Sequence, residues 1–255
     1  MRHATYPLLA AAVLLVAAPP AGAAPEEIQV YLDDLNGVGR IGLDLHANLV
    51  AAGGALDDYP GEQQSLHRLR VTPEFALGLT RTLEAGLYLP LATVDGAGRL
   101  AVDGAKVRLK YIGPKTPGQT WFWGANVEVG VVDRGLANNP WNTEIKGILG
   151  RRSGPWTVAV NTNFDIKLSG PAASPPSLEI ATRVTYALSP ILSVGVESYN
   201  GAGELRRLGG LAEHSTFVVV DRSVGRWDLE LGAGAGYGAN RDSLILKAII
   251  GVPID

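Results

Sequence analysis

The sequence has no cysteine and a single methionine among its 255 residues. Without thiols there is no disulfide framework, no thiolate metal site and no lipoprotein anchor. Charge is sparse and nearly balanced: 22 Lys+Arg against 25 Asp+Glu leave a formal net charge of −3. With no basic tract in view, nothing points to nucleic acid as a partner. After residue 24 no apolar run approaches the ~20 residues of a spanning helix, so a helical membrane protein is not the expectation. No long helical period follows that point either.

What is present is a period of two, clearest from Trp156 to Leu168. Trp156, Val158, Val160, Thr162, Phe164, Ile166 and Leu168 share one side of an extended chain, while Thr157, Ala159, Asn161, Asn163, Asp165 and Lys167 share the other. Strands of soluble β-domains average about 5–6 residues. A longer one, apolar on one face and amide-plus-charge on the other, suits a wall between hydrocarbon and water.

The N-terminus differs. Arg2 and His3 precede an apolar run from Leu8 to Ala18, then Pro19-Pro20 and the small residues Ala21 to Ala24. This is the pattern of a cleaved secretory signal over residues 1–24, leaving 25–255 as one domain. Glu26 to Asn36 alternates briefly and carries Asp33-Asp34. It reads either as a short extra strand or as a segment tucked into a barrel mouth.

From Arg40 the alternation repeats about twelve times. The apolar sets include Ile41 to Leu49, Leu69 to Leu79, Leu83 to Leu91, Ala105 to Tyr111, Trp121 to Val129 and Trp141 to Leu149. After the Trp156 stretch come Leu178 to Tyr186, Leu192 to Val196, Trp227 to Tyr237 and Leu244 to Val252. His214 to Arg222 is ambiguous, being apolar on both sides at Phe217 to Val220. Links after even strands are mostly tight, such as Thr80-Arg81-Thr82 and Arg152-Ser153-Gly154. Most links after odd strands are longer, which is the rhythm of an all-β, up-and-down antiparallel transmembrane barrel. Tyr111, Trp121, Trp123, Trp156, Tyr186 and Trp227 then fall at the end with short turns, and Trp141 and Tyr237 at the other. Two heights of aromatic rings are expected at the two membrane–water interfaces. Export plus this pattern places the protein in the outer membrane, with lipid and the barrel-insertion machinery as partners. The last residues, Gly251 to Asp255, lack the terminal aromatic common in such barrels.

Twelve strands ~4.8 Å apart and tilted ~40° enclose a backbone cylinder roughly 24 Å across, of which side chains leave at most about 10–12 Å. The faces expected to line it carry Asp44, His46, Arg68, Arg70, Glu74, Lys106, Arg108, Lys110, Glu128, Glu144, Arg183, Asp228, Glu230 and Lys247. Arg68, Arg70, Lys106, Arg108 and Lys110 form a basic sector, opposed by Glu128, Glu144, Asp228 and Glu230, and a transverse field of this kind orients charged solutes. The competing expectation is pairing between neighbours: Glu84 with Arg108 or Lys110, Asp165 and Lys167 with Arg183 and Glu179, Lys247 with Asp44.

The leading functional expectation is a narrow passive channel for a small solute, without catalytic residues, metal or cofactor. A hydrolase on the barrel wall is the alternative, resting on His46 beside Asp44 and on His214-Ser215. It lacks G-x-S-x-G, and neighbours on a strand point apart. A structural or adhesion barrel acting through its loops is a third possibility; there Asp57-Asp58-Tyr59 makes at most a weak cation site.

The run Thr72 to Pro90 (T-P-E-F-A-L-G-L-T-R-T-L-E-A-G-L-Y-L-P), with Gly42 to Asn48 (G-L-D-L-H-A-N) before it, resembles bacterial outer-membrane barrels grouped as MetA-pathway of phenol degradation proteins. The resemblance covers a strand–turn–strand unit and implies an outer-membrane transporter for small aromatic or other hydrophobic compounds. It assigns no role to any residue.

Overall fold

The structure, a computed structural model, describes residues 27–54, 59–170, 175–209 and 212–254. The signal expected over 1–24 and the pair Asp57-Asp58 lie outside the described residues. Twelve strands run in chain order: β1 (Ile41–Ala52), β2 (Leu69–Gly78), β3 (Leu83–Val94), β4 (Leu100–Ile112), β5 (Trp121–Val132) and β6 (Trp141–Ser153). They continue as β7 (Trp156–Lys167), β8 (Ser177–Ser189), β9 (Leu192–Glu204), β10 (Glu213–Val224), β11 (Trp227–Gly238) and β12 (Leu244–Pro253). Each pairs antiparallel with its neighbours, and β1 closes on β12 through Gly42↔Pro253 to Ala52↔Leu244. Closure leaves no unpaired edge, the condition for a sheet to stand in hydrocarbon. No helix among the described residues is long and apolar enough to cross a membrane.

The links define two ends. A turn end carries the connections after even strands, such as the two-residue Gly154-Pro155 link between β6 and β7. A loop end carries the longer ones. Strands of 10 to 13 residues match or exceed the ~9–11 that a tilted strand needs to cross a bilayer.

The direction of the faces is the decisive observation. The five tryptophans are each 50–53 % exposed, and Val158, Val184, Val218 and Leu231 look outward as well. Trp156 packs edge-on against Tyr186 at 4.8 Å and Tyr111 against Trp123 at 5.7 Å, forming an outer ring at the turn end. Arg151 joins it, its guanidinium 5.3 Å from the Trp121 ring. The opposite face holds buried His46, Arg70, Glu74, Asn126, Asn161, Glu197 and Lys247. Charge inside and hydrocarbon outside reverse a soluble barrel and make this exterior a lipid-facing one.

Two stretches depart from simple alternation. In β3 the register shifts between Tyr88 and Leu91, so Leu89 stays outside while Leu91, expected outside, is fully buried. Leu91 packs with Tyr88, Val132 and Leu136, the last reaching in from the loop after β5. In the ambiguous β10, Phe217 and Val219 point inward and Val218 outward. Glycine makes room for the inward rings: a Cβ at Gly234 would sit 2.5 Å from Phe217, and one at Gly150 only 2.1 Å from Phe122.

Candidate functional site

Residues 27–36 form no thirteenth strand; they are tucked into the barrel, deeper than its mouth. They run through the lumen as an extended strap. A chain inside a tube has no ladder to join, so its peptide groups must find side chains of the wall. Asn161, fully buried on β7, supplies the central clamp: the Tyr31 N–H donates to its Oδ1 (2.6 Å), and its Nδ2 donates to the Tyr31 carbonyl (3.0 Å). Lys247 Nζ donates to the Ile28 carbonyl at 3.0 Å and Lys110 Nζ to the Asp34 carbonyl at 2.9 Å. The Asn36 N–H and amide both donate to Glu84, at 2.6 and 2.9 Å.

Strap side chains complete the fit. Ile28, Val30 and Tyr31 join one buried cluster with Phe122, Ile148, Ala159, Ala181, Phe217, Val219 and Ile245 from the wall. A polar lumen would have no use for such residues; here they form the dry seat of the strap. The Tyr31 hydroxyl shares a hydrogen bond with that of Tyr88 (2.7 Å) and donates to Glu128 (2.9 Å), while Lys146 Nζ lies 4.0 Å from its ring centre. At the turn end Asp33 binds Lys115 and Arg152, the latter at 2.7 Å, and Arg152 also reaches Asp34 at 3.2 Å. Burial works to raise the Asp33 carboxyl, but the bonds from Lys115 and Arg152 outweigh it and hold it below the usual carboxylate range.

The charged wall residues gather into networks. Around Glu74, Arg108 binds on one side and His46 Nε2 approaches at 3.3 Å on the other; Arg108 continues to Glu84 at 2.8 Å. Across the lumen, Glu197 binds Arg183, Lys247 and the Tyr199 hydroxyl, and Glu230 binds Arg183 (2.5 Å) and Lys247 (2.6 Å). Arg183 also reaches Asp221 at 2.5 Å.

Expected pairings are therefore met only in part. Glu84 does bind Arg108. Arg183, however, turns away from Asp165 to carboxylates of β9, β10 and β11, and Lys247 binds Glu197 and Glu230 rather than Asp44. The basic sector is not free to face a solute: Arg108 is neutralised, Lys110 holds the strap, and Lys106 lies 3.6 Å from Glu128. Arg68 and Arg70 are buried near the loop end, where Arg68 donates to the Gln63 carbonyl at 2.7 Å. Glu144 pairs with Lys146 at 3.0 Å, and Asp228 accepts from Ser223 at 2.6 Å at the turn end. Tyr31, Tyr88, Asn161 and Glu197 were not expected to matter. Asn161 was legible only as one more polar residue on an inner face.

Between strap and loop end remains a cavity of about 330 Å³. Glu27, Ile28 and Gln29 floor it, and the wall adds Glu144, Asn163, Asp165 and Glu179 among others. Donor atoms of Glu27, His46 and Glu74 lie within 4.8 Å of one another, but Arg108 already supplies the counter-charge to Glu74. The hydrolase constellations do not assemble. His46 is taken up by Glu74, and His214 stacks on Tyr237 at 5.2 Å with no hydrogen bond to Ser215.

No family model and no curated protein matches the chain. Solved structures do match in fold. The COG4313 outer membrane channel from Pseudomonas putida F1 superposes with a TM-score of 0.59 at 13 % identity, over 89 % of this chain and 100 % of the other. The KdgM porin in complex with disordered oligogalacturonate gives 0.55 at 7 % identity, over 84 % and 99 %, and the NanC porin 0.54 at 10 %, over 84 % and 99 %. The chain shares the twelve-stranded barrel fold of outer-membrane porins.

Proposed function

We propose that the protein is an outer-membrane channel for a small polar solute, with its turn end in the periplasm, held closed by its own strap. The reading rests on one observation above all: beside the apolar seat of Ile28, Val30 and Tyr31, the strap's polar groups are fastened by side-chain bonds that water can replace, with no strand ladder of its own. A segment meant as permanent filling would gain from pairing with the wall. One fixed by side-chain bonds, one at Ile28 and two or more at each of Tyr31, Asp33, Asp34 and Asn36, can leave when those bonds are exchanged for hydration. The porin fold of the matching structures supports a solute path through the same bore. Oligogalacturonate carries many carboxylates, and the acid-rich cavity here favours a different solute from that of the KdgM complex. The charged wall likewise favours a polar solute over the hydrophobic one that the MetA-pathway resemblance implies.

Planar-bilayer recording tests the proposal. The intact protein is expected to show rare openings, and a variant lacking residues 27–36 steady single-channel steps. Absence of steps from the folded deletion variant would end the channel reading.

A further inference from the structure

Accepting the lumen as a solute path, we infer that the wall behind the strap is the channel's solute site and that the solute is a short peptide in extended form. Four wall residues address the strap through its main chain. Asn161 pairs with both the N–H and the carbonyl of Tyr31, at 2.6 and 3.0 Å. Lys247 and Lys110 donate to the carbonyls of Ile28 and Asp34 at 3.0 and 2.9 Å, and Glu84 accepts the Asn36 N–H at 2.6 Å. Every peptide presents these groups, so contacts of this kind hold an extended segment largely whatever its sequence. The Asn161 amide says most about the ligand. It offers one acceptor and one donor to a single residue, which matches a peptide unit; a carboxylate or phosphate would bring acceptors only and leave Oδ1 unpaired.

The second observation is that wall partners, not the strap, hold these groups in place. Lys247 is bound by Glu197 and by Glu230 (2.6 Å), and Glu84 by Arg108 (2.8 Å). Asn126 donates to Glu128 at 2.8 Å and so fixes the acceptor that the Tyr31 hydroxyl uses. Groups fixed beforehand lose little freedom when a ligand arrives. The strap also marks which side chains the site takes. Tyr88, Glu128 and Lys146 form a slot for an aromatic ring with a hydroxyl, and Ile148, Phe217 and Val219 form an apolar seat beside it. At the turn end Lys115 and Arg152, which hold Asp33, suit an acidic side chain or a C-terminal carboxylate. The strap's advantage over a free peptide is its tether, worth an effective concentration on the order of millimolar. A peptide therefore takes the seat when the strap is out.

Isothermal titration in detergent tests this, with the blocked peptide acetyl-Val-Tyr-Leu-Asp-amide, the sequence of residues 30–33, as probe. The host is the full-length barrel carrying Tyr31→Ala, in which the wall is unchanged and the strap has lost its ring and hydroxyl contacts. Saturable binding is expected, and wild type, its strap fastened, should bind about tenfold or more weakly. The same peptide methylated on its tyrosine nitrogen cannot donate to Asn161 and should lose about tenfold or more in affinity. Adding Asn161→Ala to the host should abolish that difference between the two peptides. Folding is checked by heat-modifiable migration, and Asp33→Asn, which frees the strap at its turn-end latch, serves as host if Tyr31→Ala does not fold. No saturable binding, equal affinity for the methylated peptide, or equal affinity in wild type would overturn the inference. Conductance by a barrel that ignores the peptide removes this site and leaves the channel reading; binding by a barrel that never conducts leaves a peptide site and removes the channel reading.

Discussion

Asn161→Ala is the most informative single change. In the closed barrel Asn161 satisfies both the N–H and the carbonyl of Tyr31 at 2.6 and 3.0 Å, and the alanine variant leaves both groups buried without partners. An orphaned buried polar group costs about 1–3 kcal/mol, so two give at least about 2 kcal/mol. The cost falls on the closed state alone, because in the open state the strap is hydrated and its peptide groups bond to water. A shift of about 2 kcal/mol moves a two-state equilibrium about 30-fold, at about 1.4 kcal/mol per factor of ten. Single-channel recording should therefore show the open fraction rising at least tenfold in Asn161→Ala. The stability of the barrel to urea should fall by no more than the same about 2 kcal/mol, since the ladder of β7 with β6 and β8 is untouched and the open barrel sets the floor. Unchanged gating, whatever the loss of stability, would refute the reasoning and make the strap a fixed part of the barrel.

Three further outcomes follow from the same contacts. The Asp33 carboxyl lies below its ordinary range, so its latch to Lys115 and Arg152 holds at neutral pH and is lost as pH falls below about 4; openings should increase on acidifying the turn-end side, and Asp33→Asn should remove that dependence while raising openings at pH 7. Glu197→Ala strips a fully buried carboxylate from Arg183 and Lys247, leaving cations poorly compensated, and should destabilise the barrel by about 3–5 kcal/mol in urea titrations from lipid. Val218→Arg puts a charge on the outer face halfway along β10, where Val218 is 65 % exposed, and should cost about 2–4 kcal/mol in the same assay, whereas a soluble barrel would tolerate it.

The barrel itself was legible because one physical constraint repeats along the chain. Each strand must show an uncharged side to lipid, so Trp156, Val158 and Val160 read the same way in sequence and in space. Leu91 was misplaced because a register shift in β3 changes face without leaving a mark in the pattern of apolar residues. Cross-lumen chemistry was hidden for a different reason. Pairing read from neighbouring strands finds Glu84 with Arg108, but Arg183 on β8 reaches Asp221 on β10 and Glu230 on β11, contacts set by the curvature of the wall. The strap left the weakest trace. Its ten residues alternate only briefly, which left an extra strand and a tucked segment both open, and their seat on the wall was visible only as the apolar inner residues Phe217 and Val219, which made β10 look ambiguous.

Because the chain lacks cysteine, a thiol placed at Val30, 2 % exposed in the strap, reports lumen closure without interference. The measurement is its rate of modification by a water-soluble maleimide in the lipid-reconstituted barrel. Closure by the strap predicts slow modification in the Val30→Cys protein and at least tenfold faster modification when Asn161→Ala is added. Rapid modification at the same rate in both would mean that the strap does not close the lumen.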